Sequence, residues 1–146
     1  MLLSLEKYFI LESNIKTVED FSLGKKEKAD YDVDARGELY ENSDDQNKYR
    51  VVISITFGRK KGTKKNSVPY TGFVKLAGFI NVDENVPDEK REKFLMVNGL
   101  SLLYGSAREH VAAVTSRGPW EMFFLPMVSF RQDEATVDEE LTEPNT

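Results

Sequence analysis

Alternation of apolar and polar residues predicts four β-strands in the first 82 residues of the chain. The clearest alternation covers residues 30–39, whose apolar face consists of Tyr31, Val33, Ala35, Gly37 and Leu39. Similar patterns predict the other strands at residues 3–18, 49–57 and 68–82. The last three strands are separated by short polar turns with no helical pattern, so we predict an antiparallel meander rather than parallel βαβ units.

A helical pattern follows the fourth strand. Pro87 and Asp88 suit a first helical turn, because proline is tolerated there and an acidic group complements the helix dipole. Apolar residues then recur at helical spacing, namely Leu100, Leu103, Tyr104, Ala107, Val111 and Val114. Gly118 and Pro119 end the helix, and Gly99 predicts a kink within it. The predicted fold is therefore α+β, a four-stranded antiparallel sheet followed by one long helix.

Composition indicates one globular domain. The chain has 146 residues, and 40% hydrophobic against 31% charged residues is typical of a folded protein. Cysteine is absent, which excludes disulfides, thiolate catalysis and Cys-ligated metal sites. The N-terminus has no basic region ahead of an apolar stretch, and no run approaches the ~18 apolar residues of a membrane span. We therefore expect a cytoplasmic protein that does not insert into membranes.

The negative charge is concentrated at the C-terminus. The net charge of -5 arises in residues 131–146, which hold six acidic residues and one arginine. Residues 1–130 are neutral and are expected to form the domain, with 131–146 as a flexible acidic tail. This distribution argues against nucleic acid as the main partner, because nucleic-acid binding requires a basic face.

Catalytic chemistry has little support in the sequence. His110 is the only histidine, and without a cysteine or a second histidine it cannot anchor a usual zinc site. Ser106 lacks the G-x-S-x-G spacing of a nucleophile elbow, and no P-loop motif occurs. We predict that the protein is not an enzyme and requires no metal or cofactor.

Two patterns indicate interaction surfaces. Apolar side chains crowd residues 120–130, a segment interrupted by Pro126, which suits either a cover over the core or an adaptable apolar groove. Small residues on the predicted helix would permit close approach of a second helix, although an exposed face also tolerates them. The candidates for an oligomer interface are Gly105, Ser106, Ala112 and Ala113.

A third pattern is basic. The turn between the third and fourth strands holds Arg59, Lys60, Lys61, Lys64 and Lys65. These charges could attract nucleic acid or an acidic client. A solvated turn that discourages edge aggregation is the favoured interpretation, because no aromatic residue accompanies the charges.

Several stretches resemble the SecB family of protein-export chaperones. Residues 103–118 are similar to that family's long helix, which carries an Ala-Arg-Glu element and ends in Ser-Arg-Gly. Residues 125–130 are similar to its following proline-containing segment, which ends in Asn-Phe. Residues 74–80 and 5–13 resemble its fourth and first strands, so the resemblance covers most of residues 3–130.

The resemblance implies an ATP-independent holdase, a homotetramer built as a dimer of dimers, that binds unfolded preproteins and delivers them to the SecA motor. The client groove would lie between the connection from the first to the second strand and the segment after the helix. Its residues would be Phe21, Leu23, Trp120, Met122, Phe123, Phe124, Leu125 and Met127. SecA would dock on an acidic sheet face at Asp32, Asp34 and Glu38.

Two departures from the family pattern bear on whether SecA is a partner of this protein. The family has Phe-Pro-Tyr before Ala-Arg, whereas this chain has Tyr104-Gly105-Ser106. The family has an amphipathic final helix, whereas this chain has the acidic tail. The alternative hypothesis is a SecB-like chaperone or scaffold dedicated to one partner, such as an antitoxin, without SecA.

Overall fold

An antiparallel sheet forms the body of the protein. The structure is a computed structural model that describes residues 2–24, 27–128 and 130, and the backbone of residues 141–142. Its strands are β1 (Leu3–Thr17), β2 (Tyr31–Glu41), β3 (Lys48–Arg59), β4 (Tyr70–Val82) and β5 (Leu141–Thr142). The order is β1-β4-β3-β2-β5, and only the short β2–β5 pair is parallel within the described part of the chain.

β1 does not lie beside β2, where a four-stranded meander would place it. β2, β3 and β4 follow one another through turns as predicted, whereas β1 pairs with β4 along its whole length. Residues 18–30, the crossover segment, connect β1 to β2 on the other side of the β3–β4 pair. A connection of this length can reach ~40 Å, which exceeds the ~14 Å between those strands. The meander therefore comprises three strands rather than four.

The predicted helix is present with one irregular turn. It begins as α1 (Asp88–Phe94), continues through a π-helical turn (Leu95–Gly99) and ends as α2 (Leu100–Thr115). The irregularity lies where Gly99 predicted a kink, although its form is a widened turn. The four-stranded antiparallel sheet followed by a long helix is confirmed.

The core lies between the sheet and α2. All but one residue of the predicted apolar stripe is buried; Val114 is 38% exposed, and Thr115 is buried instead. The reason is that the chain reverses direction after α2 and packs against Thr115. Two glycines on the sheet let the helix approach: a Cβ atom at Gly37 would lie 2.6 Å from Leu100, and one at Gly78 would lie 2.8 Å from Leu103.

One buried cation fastens the start of α1 to the sheet. The Arg91 guanidinium is buried and donates to the carbonyl oxygens of Val86 at 3.0 Å and Gln46 at 2.9 Å. It also donates to the Asn47 side-chain oxygen at 2.7 Å. Arg91 therefore joins the β2–β3 turn to the segment that precedes α1.

Replacing Arg91 should destabilise the domain. Arg91→Met keeps most of the apolar stem but leaves buried carbonyl oxygens without a donor, so we expect a loss of about 2–4 kcal/mol in the free energy of unfolding. Urea denaturation followed by circular dichroism measures it. Lys93→Met, on an exposed part of the same helix, should change stability by less than about 0.5 kcal/mol. Equal stability of the two variants would contradict this role of Arg91.

Candidate functional site

The segment after α2 runs back along the helix and is fixed to it by side chains. We call residues 119–128 the return segment. The Phe123 amide donates to the Thr115 hydroxyl at 2.9 Å, and the Arg108 guanidinium donates to the Leu125 carbonyl at 2.8 Å. The Tyr104 hydroxyl donates to the Pro126 carbonyl at 2.7 Å. These bonds follow α2 from its end towards its start, so the segment is antiparallel to the helix.

The hydrogen-bonded hydroxyl of Tyr104 keeps its proton at neutral pH. Burial raises the pKa of Tyr104 to about 12, although the nearby charge of Arg108 acts in the opposite direction. Tyr31 behaves in the same way: burial raises its pKa to about 12 against a lowering contribution from the Tyr70 backbone amide. Both phenols are therefore neutral hydrogen-bonding groups.

Aromatic rings join the return segment to the sheet. Phe123 stacks on Tyr31 with ring centroids 4.2 Å apart and on Phe57 at 5.4 Å. Trp120 meets Phe21 of the crossover segment edge to face at 5.4 Å. Its indole N–H donates to the Val18 carbonyl at 3.0 Å. The crossover segment, the ends of β2 and β3 and the return segment therefore form one continuous surface.

From Met122 to Leu125 the side chains of the return segment alternate between solvent and the core, whereas Pro126, Met127 and Val128 are all exposed. Leu125 is fully buried and Phe123 is half-buried, whereas Met122, Phe124 and Met127 are 46%, 57% and 79% exposed. Exposed residues of this size are unusual in such a cluster, because water is a poor solvent for their side chains. We call Met122, Phe124 and Met127 the apolar strip; Val128, next to Met127, is also exposed.

The predicted groove residues have different positions. Phe21 and Trp120 contact each other, and Leu23 is half-buried in the crossover segment. Leu125 lies in the core and faces away from solvent. The half-buried Tyr31 and the buried Phe57 pack against Phe123 but were not predicted, because the sequence shows them only as ordinary members of apolar strand faces. Their place at the strand ends is the signal that could have identified them.

The predicted acidic residues lie on the opposite face of the sheet. Asp32 and Asp34 are exposed there, and the Glu38 carboxylate accepts a bond from the Tyr40 hydroxyl at 2.8 Å. Arg36 lies between Asp34 and Glu38 in the sequence, and its Nε atom lies 3.4 Å from a carboxylate oxygen of Asp34. Such an exposed ion pair contributes little to stability. This face therefore mixes both signs of charge.

The four small residues of α2 that were predicted at an oligomer interface differ in their exposure to solvent. Gly105 and Ala113 are exposed, and a Cβ atom at Gly105 would meet nothing within 4 Å. Ser106 is half-buried and donates to the Leu102 carbonyl, whereas Ala112 is buried within its own chain. Gly105 and Ala113 are thus the two members open to another molecule.

His110 has a structural contact with the edge strand. Its Nε2 atom lies 2.8 Å from the Ser13 hydroxyl oxygen, which links α2 to β1. Within the described residues, no three acidic or histidine side chains are grouped as metal ligands. None of the helices in that part of the chain has the length and apolarity needed to cross a membrane.

The antiparallel sheet and the long helix that follows it define the fold class of this protein. The family model described as preprotein translocase subunit SecB matches residues 7–133. The chain therefore belongs to the SecB family.

The chain is also similar to individual proteins. An uncharacterized protein of Methanocaldococcus jannaschii, MJ0357, is 30% identical over 122 residues, which cover 84% of this chain and 76% of the relative. A solved structure of the SecB-like chaperone Rv1957 of Mycobacterium tuberculosis, in complex with a peptide from the antitoxin HigA1, has a TM-score of 0.62. That similarity has 14% identity and covers 88% of this chain and 91% of Rv1957. A protein of unknown function from Streptococcus agalactiae matches with a TM-score of 0.49, 11% identity and coverage of 86% and 97%.

Loss of the Thr115 hydroxyl should loosen the return segment. Thr115→Val keeps the side-chain shape but removes the acceptor for the Phe123 amide, so we expect faster amide hydrogen exchange at Phe123 and a stability loss of about 1–2 kcal/mol. Hydrogen–deuterium exchange with mass spectrometry measures the first effect. Ser116→Ala is the matched control, because Ser116 is exposed and bonds only within its helix. Unchanged exchange in Thr115→Val would show that this bond does not hold the segment.

Proposed function

We propose that this protein is an ATP-independent holdase that binds non-native polypeptide segments on the apolar strip of the return segment. The observation that carries the proposal is the outward orientation of Met122, Phe124 and Met127 on a segment whose backbone is bonded to α2. Methionine and phenylalanine side chains adapt to varied apolar ligands, which suits binding of unfolded chains. Membership of the SecB family supports this proposal.

The predicted groove residues would have three roles in this holdase. Met122, Phe124 and Met127 would contact the client directly. Phe21, Leu23, Trp120 and Phe123, which are half-buried, would form the wall beside it. Leu125, buried in the core, would hold the segment in place without touching the client.

Delivery to the export machinery would be a separate step. In this proposal the holdase acts in the cytoplasm, binds preproteins and transfers them to SecA, which docks at Asp32, Asp34 and Glu38. The exposure of Asp32 and Asp34 supports an accessible site. Arg36 on the same face would oppose an entirely basic partner surface, so the SecA contact must tolerate a positive charge there.

The second candidate function is a chaperone dedicated to one partner, without SecA. A specific observation favours it: the structural neighbour Rv1957 is described in complex with an antitoxin peptide. In this reading the same apolar strip would bind one short segment of a particular protein. Binding of many unrelated unfolded proteins with similar affinity would argue against this candidate.

We further propose that the protein assembles as a homotetramer, a dimer of dimers, through α2. Ala113 and Gly105 would meet a second helix, with Ser106 beside them and Ala112 beneath. The open space around the Gly105 Cβ position supports this, because a neighbouring helix could approach there closely.

Removing the apolar strip should weaken holdase activity. Wild-type chain should suppress aggregation of a denatured, slow-folding protein diluted without ATP, as measured by light scattering. The triple variant Met122→Ser/Phe124→Ser/Met127→Ser should reach the same suppression of aggregation only at roughly tenfold higher concentration than wild type. The reason is that it loses about 100 Å² or more of apolar contact with the client. Leu2→Ser removes a similarly exposed apolar group elsewhere and should behave like wild type. Suppression by the triple variant at wild-type level would overturn the assigned surface.

Enlarging Gly105 should disrupt assembly without unfolding the domain. Gly105→Leu fits the isolated chain, since nothing lies near its Cβ position, and improves helix propensity by roughly 1 kcal/mol. In a close helix contact the new side chain would clash. We expect a smaller molar mass by size-exclusion chromatography with light scattering, with an unchanged circular dichroism spectrum. Lys90→Leu on α1 is the control. Equal molar masses for the two variants would show that Gly105 does not lie in the interface.

A further inference from the structure

We propose that the basic turn, residues 59–65, is a second contact site for the client and selects segments in which an apolar stretch is flanked by aspartate or glutamate. This inference rests on the proposed holdase function and specifies its substrate class. The charged side chains of the turn are exposed and have no role in the packing of the core.

The charges of the turn are exposed and largely unbalanced. Lys60 approaches Asp30 at 3.8 Å, and the Arg59 guanidinium donates to the Thr63 carbonyl. Within the described residues, the ammonium groups of Lys61, Lys64 and Lys65 lie in no ion pair. Gly62 adopts a positive φ of 90°, a backbone conformation that favours glycine in this turn. Mutual repulsion of these charges would be relieved by an anionic ligand.

The basic turn lies next to the apolar surface. Arg59 pairs with Tyr31 in the β2–β3 register, and Tyr31 stacks on Phe123 of the return segment. Asn66, just after the turn, accepts a bond from the Ser22 amide at 3.1 Å. Lys61 follows Phe57 by four residues, or ~13 Å of extended chain. A client of a few residues could therefore contact both the apolar strip and the lysines.

Of the acidic C-terminal tail, residues 131–146, the structure describes only the backbone of β5. β5 pairs with Tyr40 and Glu41, whereas the basic turn adjoins Tyr31 at the opposite end of β2. These ends are separated by ~30 Å. β5 therefore does not occupy the basic turn. We assign the turn to a client polypeptide, because its positive charge is complementary to carboxylates and its apolar surroundings favour a polypeptide over nucleic acid.

Three labelled peptides test the inference on the full chain. All share one apolar core of leucine, phenylalanine and methionine, and their flanks are aspartate and glutamate, serine, or lysine and arginine. Fluorescence anisotropy gives Kd at 50 mM and 500 mM salt. We expect acidic flanks to bind roughly fivefold or more tightly than serine flanks at low salt, since each charge pair contributes about twofold. The preference should disappear at high salt.

Charge variants locate the effect. Lys64→Gln/Lys65→Gln should reduce the acidic preference at least twofold and leave the serine-flanked peptide unaffected. Lys90→Gln/Lys93→Gln is the matched control, because both lysines are exposed on α1, which is fastened by Arg91 to the other end of the sheet. Equal effects of the two pairs would show a general charge effect and overturn the assignment of the turn.

The remaining outcomes separate this inference from the proposed function. Equal binding of the serine-flanked and acid-flanked peptides would overturn the inference and leave the holdase intact. Failure of all three peptides to bind would overturn both. A labelled DNA duplex included in the same assay should not bind. Lysine-dependent DNA binding without an acidic-peptide preference would replace the client site with a nucleic-acid site.

Discussion

The inner face of the sheet is wider than one helix can cover, and much of the structure follows from this constraint. Four strands span ~14 Å between the outermost axes, whereas a helix with its side chains is about 10–12 Å across. α2 packs over the centre of the sheet, with Leu100 and Leu103 set close to it by Gly37 and Gly78. The apolar residues at the β2 end of the sheet therefore need another cover.

The return segment supplies that cover. Phe123 stacks over Tyr31 and Phe57, and Leu125 is fully buried. An extended segment, however, points successive side chains in opposite directions, so burial of Phe123 and Leu125 leaves Met122 and Phe124 exposed. Met127 lies beyond this alternation, in a stretch where residues 126–128 are all exposed. Polar residues at the exposed positions would satisfy the fold equally well. Apolar residues there have no structural use in the single chain, which is why they are assigned to a partner.

Periodicity predicted the elements but not their placement. The strands and helix were predictable because burial on one face leaves a repeat of two or 3.6 residues in the sequence. Pairing of β1 with β4 was not, because the alternation of a strand does not specify its neighbour. Val114 continued the helical stripe in the sequence, yet it is exposed and the neighbouring Thr115 is buried in its place. That exchange depends on the reversal of the chain after α2, which is a tertiary feature.

Site prediction was limited in the same way. The apolar composition of residues 120–130 identified the segment, but composition could not tell Leu125, which is buried, from Phe124, which is exposed. That distinction arises from hydrogen bonds to the return segment from side chains of α2. The basic turn was visible in the sequence as a cluster of charge. Its nearness to the apolar strip depends on the β2–β3 register and on the stacking of Phe123 against Tyr31.

The two ends of the sheet are built by different interactions. At one end the buried Arg91 guanidinium joins the turn between β2 and β3 to the start of the helix through backbone and side-chain oxygens. At the other end aromatic contacts, with rings at 4.2–5.4 Å, hold the crossover and return segments together. Charge-assisted hydrogen bonds require fixed geometry, whereas aromatic contacts tolerate small shifts. The aromatic end can therefore shift slightly while the arginine end keeps its geometry.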